Sequence, residues 1–99
     1  MKLTLSGKEF TLRCDMRCLA TAKREAGIDL ATLGNDLVEC GTLVYYMAQS
    51  GAKYAGIPFE YSLDEFFALI DVKDIDHLSE VMTLALGVGD GKKKVKANR

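Results

Sequence analysis

Lys2-Leu3-Thr4-Leu5-Ser6-Gly7-Lys8-Glu9-Phe10-Thr11-Leu12-Arg13 is the stretch on which the fold turns. Leu3 and Leu5 alternate with Lys2 and Thr4, and Phe10 and Leu12 alternate with Glu9, Thr11 and Arg13. A period of two places alternate side chains on opposite faces of a strand. Ser6-Gly7-Lys8 supplies the turn, because Gly7 is free to take a positive φ. The resulting hairpin carries Leu3, Leu5, Phe10 and Leu12 on one face. That face needs a cover, since an isolated two-stranded ribbon is marginal in water.

The cover reads as helical. Asp15 is a good N-cap, Met16 to Ala26 contains no Gly or Pro, and Gly27 is the natural stop. Cys18, Leu19, Ala22 and Ala26 share one stripe, with Arg17, Lys23, Arg24 and Glu25 facing elsewhere. Asp29 is placed to cap a second short helix from Leu30, interrupted at Gly34-Asn35 and resuming through Leu37-Val38. A longer helix is expected from Thr42 to Lys53, with Leu43, Tyr46, Met47 and Tyr54 on one side and Gly56 and Pro58 closing it. Ser62-Leu63-Asp64-Glu65 is a capping box that opens a helix carrying Leu63, Phe66, Phe67 and Ile70. Asp74 is expected to cap a last helix with Ile75, Leu78, Met82 and Ala85 on one stripe, ended by Gly87. Residues 88–99 read as a disordered basic tail. The fold class is therefore mainly α. It is one small domain over 1–87, with a hairpin in 1–14 and four to five helices in 15–87, followed by the tail.

Size and composition agree. The chain has 99 residues and 10.9 kDa, with 48% hydrophobic and 27% charged residues, which is ordinary globular composition rather than disorder. A chain of this length buries about 65% of the surface that it exposes when unfolded. No apolar run approaches the roughly 18 residues of a membrane span, and the opening does not read as a secretory signal. Three cysteines, Cys14, Cys18 and Cys40, are an odd number. They fit a reducing cytoplasm better than a disulfide scaffold.

The net charge of −1 conceals a segregation. Residues 1–24 carry six basic and two acidic groups, whereas residues 25–91 carry only Lys53 and Lys73 against twelve acids. Lys92, Lys93, Lys94, Lys96 and Arg99 then make the end strongly basic. Such a tail could touch phosphate at low salt, but it lacks the interleaved aromatics of a single-strand binder. Nucleic acid is accordingly the disfavoured partner.

Catalytic and metal constellations are scarce. Cys14 and Cys18 form C-x3-C, and the sole histidine is His77, so a tetrahedral zinc site lacks ligands. A Cys–His nucleophile pair needs the fold to bring His77 to a thiol. Gly87-Val88-Gly89-Asp90-Gly91-Lys92 fails the phosphate-loop spacing, and Lys93 stands where Ser or Thr is required. Asp71, Asp74 and Asp76 lack the glycine and late Glu of a calcium loop. No catalytic residue, metal ligand or cofactor site is assigned.

The aromatics are the better clue. Tyr45, Tyr46, Tyr54, Phe59, Tyr61, Phe66 and Phe67 fall within one short region, and there is no Trp. Neighbouring helical residues point about 100° apart, so Tyr45 and Tyr46 cannot both face one narrow core, and neither can Phe66 and Phe67. Either the helical core wraps the cluster, or some members sit beneath a partner. The partner-binding candidates are Tyr45, Tyr46, Met47, Tyr54, Phe59, Tyr61 and Phe67.

Taken in order, these elements resemble a known family. The hairpin with Gly7-Lys8-Glu9-Phe10, the helix stopping at Gly27-Ile28-Asp29, Leu43-Val44-Tyr45-Tyr46-Met47-Ala48, and Ser62-Leu63-Asp64-Glu65 with Leu69-Ile70-Asp71 look like a bacteriophage or prophage tail assembly chaperone. The resemblance covers roughly residues 1–86. It implies a small, mostly helical cytoplasmic protein of the bacterial host, with no enzyme activity and no cofactor. It also implies binding to the tape measure protein, which is kept soluble while tail tube subunits polymerise around it. Many relatives are also made in an extended form by a −1 frameshift. Gly91-Lys92-Lys93-Lys94 is compatible with a slippery A-rich codon run, so Lys92, Lys93, Lys94 and Lys96 are either phosphate contacts or the trace of such a site. The alternative readings are a small nucleic-acid-associated or regulatory protein acting through its basic tail, and a helical domain that simply forms homo-oligomers.

Overall fold

The structure, a computed structural model, describes residues 2–29 and 36–86. Strands β1 (Lys2–Leu5) and β2 (Lys8–Thr11) pair antiparallel, with Leu3 opposite Phe10 and Leu5 opposite Lys8. The turn is shorter than expected, because Lys8 already belongs to β2. Ser6 and Gly7 make it alone, with φ of 49° and 78°. Two positive φ values give a twist that matches the flanking strands. Ser6 is the one non-glycine at positive φ among the described residues, and its Oγ donates to the Leu69 carbonyl at 2.9 Å.

Helix α1 (Met16–Ala26) begins and ends where its caps predict. Asp15 Oδ1 accepts the Cys18 N–H at 2.9 Å. Gly27, at φ 70°, donates to the Lys23 carbonyl, and Ile28 donates to Ala22 and buries its side chain. That paired closure with an apolar contact after it is the usual way a left-handed cap satisfies the last carbonyls.

Helix α2 spans Leu37–Ala55, earlier and longer than the expected Thr42–Lys53. Asp36 is the reason, since its Oδ1 accepts from both Val38 N (2.9 Å) and Glu39 N (3.1 Å). Gly41 does not break the helix, although a glycine costs about 1 kcal/mol relative to alanine there. The Phe67 ring packs over it, with Cε1 3.4 Å from where a Cβ would stand. Tyr54, expected on the core side, is 72% exposed near the end of α2, under the Arg13 guanidinium at 3.9 Å from its ring centre. The short helix expected from Leu30 falls in residues 30–35, outside the described residues.

Helix α3 (Leu63–Phe67) has both bonds of the capping box: Glu65 N to Ser62 Oγ at 3.1 Å and Ser62 N to Glu65 Oε1 at 2.8 Å. It stops at Phe67 instead of reaching Ile70. Leu69 and Ile70 donate to carbonyls only three residues back, which tightens the chain into a turn. A 3-10 turn (Val72–Asp74) then leads into α4 (Ile75–Leu86). Asp74, expected to cap α4, instead closes the 3-10 turn upstream, its Oδ2 accepting the Asp71 N–H at 2.9 Å. The expected stop at Gly87 and the basic tail lie outside the described residues, as does the side chain of Ala85.

The result is the expected mainly helical unit with an N-terminal hairpin. All four side chains of the hairpin face, Leu3, Leu5, Phe10 and Leu12, are buried. They share one core with Cys18 and Ala22 of α1, Leu43, Val44, Met47 and Ala48 of α2, Phe66 of α3, and Leu78, Val81 and Met82 of α4. Burying each large side chain contributes about 1.5–3 kcal/mol. Helix α2 is the spine of this arrangement. It rides directly on β2 and the residues that follow: Arg13 N–H donates to the Met47 carbonyl at 3.0 Å. At Gly51 a Cβ would collide with the Thr11 carbonyl oxygen.

Candidate functional site: an apolar groove beside an internal aromatic cluster

Six aromatics, Phe10, Tyr45, Tyr46, Phe59, Tyr61 and Phe66, form one connected cluster, with Tyr46 joining through Tyr45 at 5.1 Å between ring centres. Phe10 meets Phe66 at 5.2 Å and Tyr61 at 5.5 Å between ring centres, and Tyr45 meets Phe66 and Phe59 at 5.6 Å each. Most of these rings meet edge to face, the arrangement that the ring quadrupole favours. Tyr45 is anchored further by its hydroxyl, which donates to the Tyr61 carbonyl at 2.9 Å. Burial, aided by the nearby Glu65, pushes that phenol above its ordinary pKa.

The candidate partner-binding residues therefore separate. Met47 and Tyr45 are core residues, with Met47 wholly enclosed. Phe59 and Tyr61 are half-buried and packed on the core. Each aromatic pair does split, as the 100° rotation requires. Tyr45 and Phe66 point inward, while Tyr46 and Phe67 are half-buried. Only Tyr54 of the seven candidates is exposed. Lys92, Lys93, Lys94 and Lys96 lie outside the described residues.

Phe67 leads to a surface feature that the aromatic pattern does not announce. Its ring, together with Ile70, forms one wall of a shallow groove. Leu37, Val38, Cys40 and Gly41 from the first turns of α2 form a second wall, and Ile75, Leu78 and Ser79 of α4 complete it. The groove holds about 210 Å³. Leu37 and Val38 stand at its lip, 53% and 65% exposed. No periodicity links residues 37–41, 67–70 and 75–79, so sequence reasoning missed this site. The available signal was local: two apolar residues directly after the N-cap Asp36, where a first helical turn is ordinarily polar.

Chemically the groove is a place for apolar side chains. It is smaller than the roughly 300–1,000 Å³ of small-molecule pockets, so it suits side chains delivered by another polypeptide. The three thiols are not prepared as nucleophiles. Burial raises all three thiols, and Cys18 is pushed up to about 12 by its burial and by the neighbouring Cys14 and Asp15. Activated thiols are shifted the other way. His77 is exposed on α4, its Nδ1 3.4 Å from Glu80 Oε1. Among the described residues, no group of three His, Cys, Asp or Glu side chains is placed to hold a metal ion. Among the same residues, no helix is long and apolar enough to cross a membrane. No protein-family model, curated protein or solved structure matches the chain.

Proposed function

We propose that this chain is a non-enzymatic tail assembly chaperone that binds a phage tape measure protein and releases it to the growing tail tube. The order of hairpin, helix stops, tyrosine segment and capping box supports the reading. The observation that carries it is the groove with Leu37 and Val38 exposed at its lip. A tape measure protein is long, helical and apolar, and it aggregates unless covered before the tube encloses it. The cover must also come off. A shallow groove meets both needs, since laying one face of an amphipathic helix into it hides a few anchors without engulfing the client. The half-buried Phe67, which lines the groove, adds an aromatic wall that such a client can touch.

Co-expression with the tape measure protein of the same tail gene cluster tests the proposal. The soluble yield of the client rises and the two proteins co-purify. Val38→Asp removes the co-purification while leaving thermal unfolding of the chaperone unchanged, because position 38 contributes surface and not core. An unchanged soluble yield with no co-purification rejects the role.

A further inference from the structure

The groove is apolar within and acidic around. Asp36 immediately precedes Leu37, Asp71 follows Ile70, and Asp74 and Asp76 flank Ile75. With Glu39, the stretches 36–41 and 67–79 carry five carboxylates against a single lysine, Lys73. The field reaches the groove wall: Asp36 and Glu39 add to burial in raising the Cys40 thiol. These carboxylates neighbour the groove residues in the chain, so a partner that covers the exposed Leu37 and Val38 and the half-buried Ile75 approaches them.

On the reading that this groove is the docking surface, we infer that it selects an amphipathic client helix whose apolar stripe is bordered by lysine and arginine. The apolar side chains fill the groove and the flanking cations meet the acidic rim. Rim charges act mainly on encounter and on choice between partners, and salt weakens them because they face solvent. A second copy placed groove to groove would oppose two acidic rims, so a symmetric pairing across this face is disfavoured.

Three labelled helical peptides of about 18 residues, long enough to hold about five turns, test the inference. They share one Leu/Ile stripe and carry Lys, Gln or Glu on its borders. Fluorescence anisotropy with the full chain reads their affinities at low and high salt. The Lys-bordered peptide binds about tenfold tighter than the Gln-bordered one at low salt, and the Glu-bordered peptide binds weakest. High salt shrinks the gap, as screening requires. Asp36→Asn with Asp76→Asn reduces the preference while keeping the cap, since Asn caps a helix as well as Asp does. Val38→Asp abolishes binding of the Gln-bordered peptide. Equal affinity for the Lys and Gln peptides, lost in Val38→Asp, overturns the charge selection and leaves groove docking standing. Binding of none of the three, or binding unaffected by Val38→Asp, overturns both. Concentration-dependent self-association that blocks the peptides assigns the groove to a second copy and also overturns the inference.

Discussion

Two glycines of α2 give one substitution opposite signs. Gly→Ala inside a helix ordinarily gains about 1 kcal/mol, because alanine loses less backbone freedom on folding. At Gly51 the new Cβ would stand 2.6 Å from the Thr11 carbonyl carbon and 3.1 Å from the Leu12 nitrogen, and it would collide with the Thr11 oxygen. All three atoms are backbone. Thr11 is paired with Lys2 across the hairpin, and the Arg13–Met47 hydrogen bond ties the next residues to the helix, so no rotamer change relieves the contact. Overpacking of this kind costs about 1–3 kcal/mol. The upper end applies against fixed backbone, which leaves a net loss of about 2 kcal/mol after the propensity gain is subtracted. At Gly41 the nearest atom is Phe67 Cε1 at 3.4 Å, the edge of a half-buried ring that can shift. There the propensity gain survives as a stabilisation of about 0.5–1 kcal/mol. Urea unfolding followed by circular dichroism reads both. With an m-value near 1 kcal/mol/M, the Gly51→Ala midpoint falls by about 2 M and the Gly41→Ala midpoint rises by about 0.5–1 M. A Gly51→Ala midpoint at or above that of the parent would refute the close seating of α2 on β2. A Gly41→Ala loss would refute a continuous helix through position 41.

Two further outcomes follow from titratable groups. The Cys18 amide, then the Arg13 guanidinium, hold the Asp15 carboxyl below its ordinary range; a depressed folded pKa contributes stability above the unfolded pKa of about 3.9 and loses it as pH falls through the folded value. Asp15→Asn keeps a cap but cannot titrate, so its melting temperature drops less than the parent's between about pH 5 and about pH 3, and identical drops would contradict the assignment. The Cys18 thiol, at about 12, stays protonated in the native state. Iodoacetamide at about pH 8 therefore spares Cys18 until urea is added, and mass spectrometry showing ready native alkylation there would overturn its burial.

The hairpin was legible because its alternation is strict and only one register buries all four apolar side chains. Both ends of α1 were legible because Asp15 and Gly27 act locally, through bonds to residues within a few positions. The start of α2 was not. Gly34-Asn35 read as an interruption and the long helix as starting only at Thr42, while the deciding facts were the Asp36 cap and the Phe67 ring over Gly41, a contact across 26 residues. Asp74 shows the same difficulty at short range. One carboxylate can cap forward or close a turn backward, and composition does not distinguish the two. Helical rotation showed that the aromatic pairs must divide but not which member faces in. That choice depends on where Phe10 and Phe59 arrive, which only the fold decides. The groove was the least visible feature, because three separated segments build it.

The bond from Ser6 Oγ to the Leu69 carbonyl clasps the hairpin tip to the turn after α3, across 63 residues. During translation at about 5–20 residues per second, that partner arrives about 3–13 s after the tip itself. Met47, which receives the Arg13 amide, also comes well after the strands are made. Over that interval the hairpin gains its cover piece by piece, first Cys18 and Ala22 of α1, then Leu43 and Met47 of α2, and Phe66 just before the clasp. The hairpin is thus secured in stages, and its tip is tied down only when residue 69 has been synthesised.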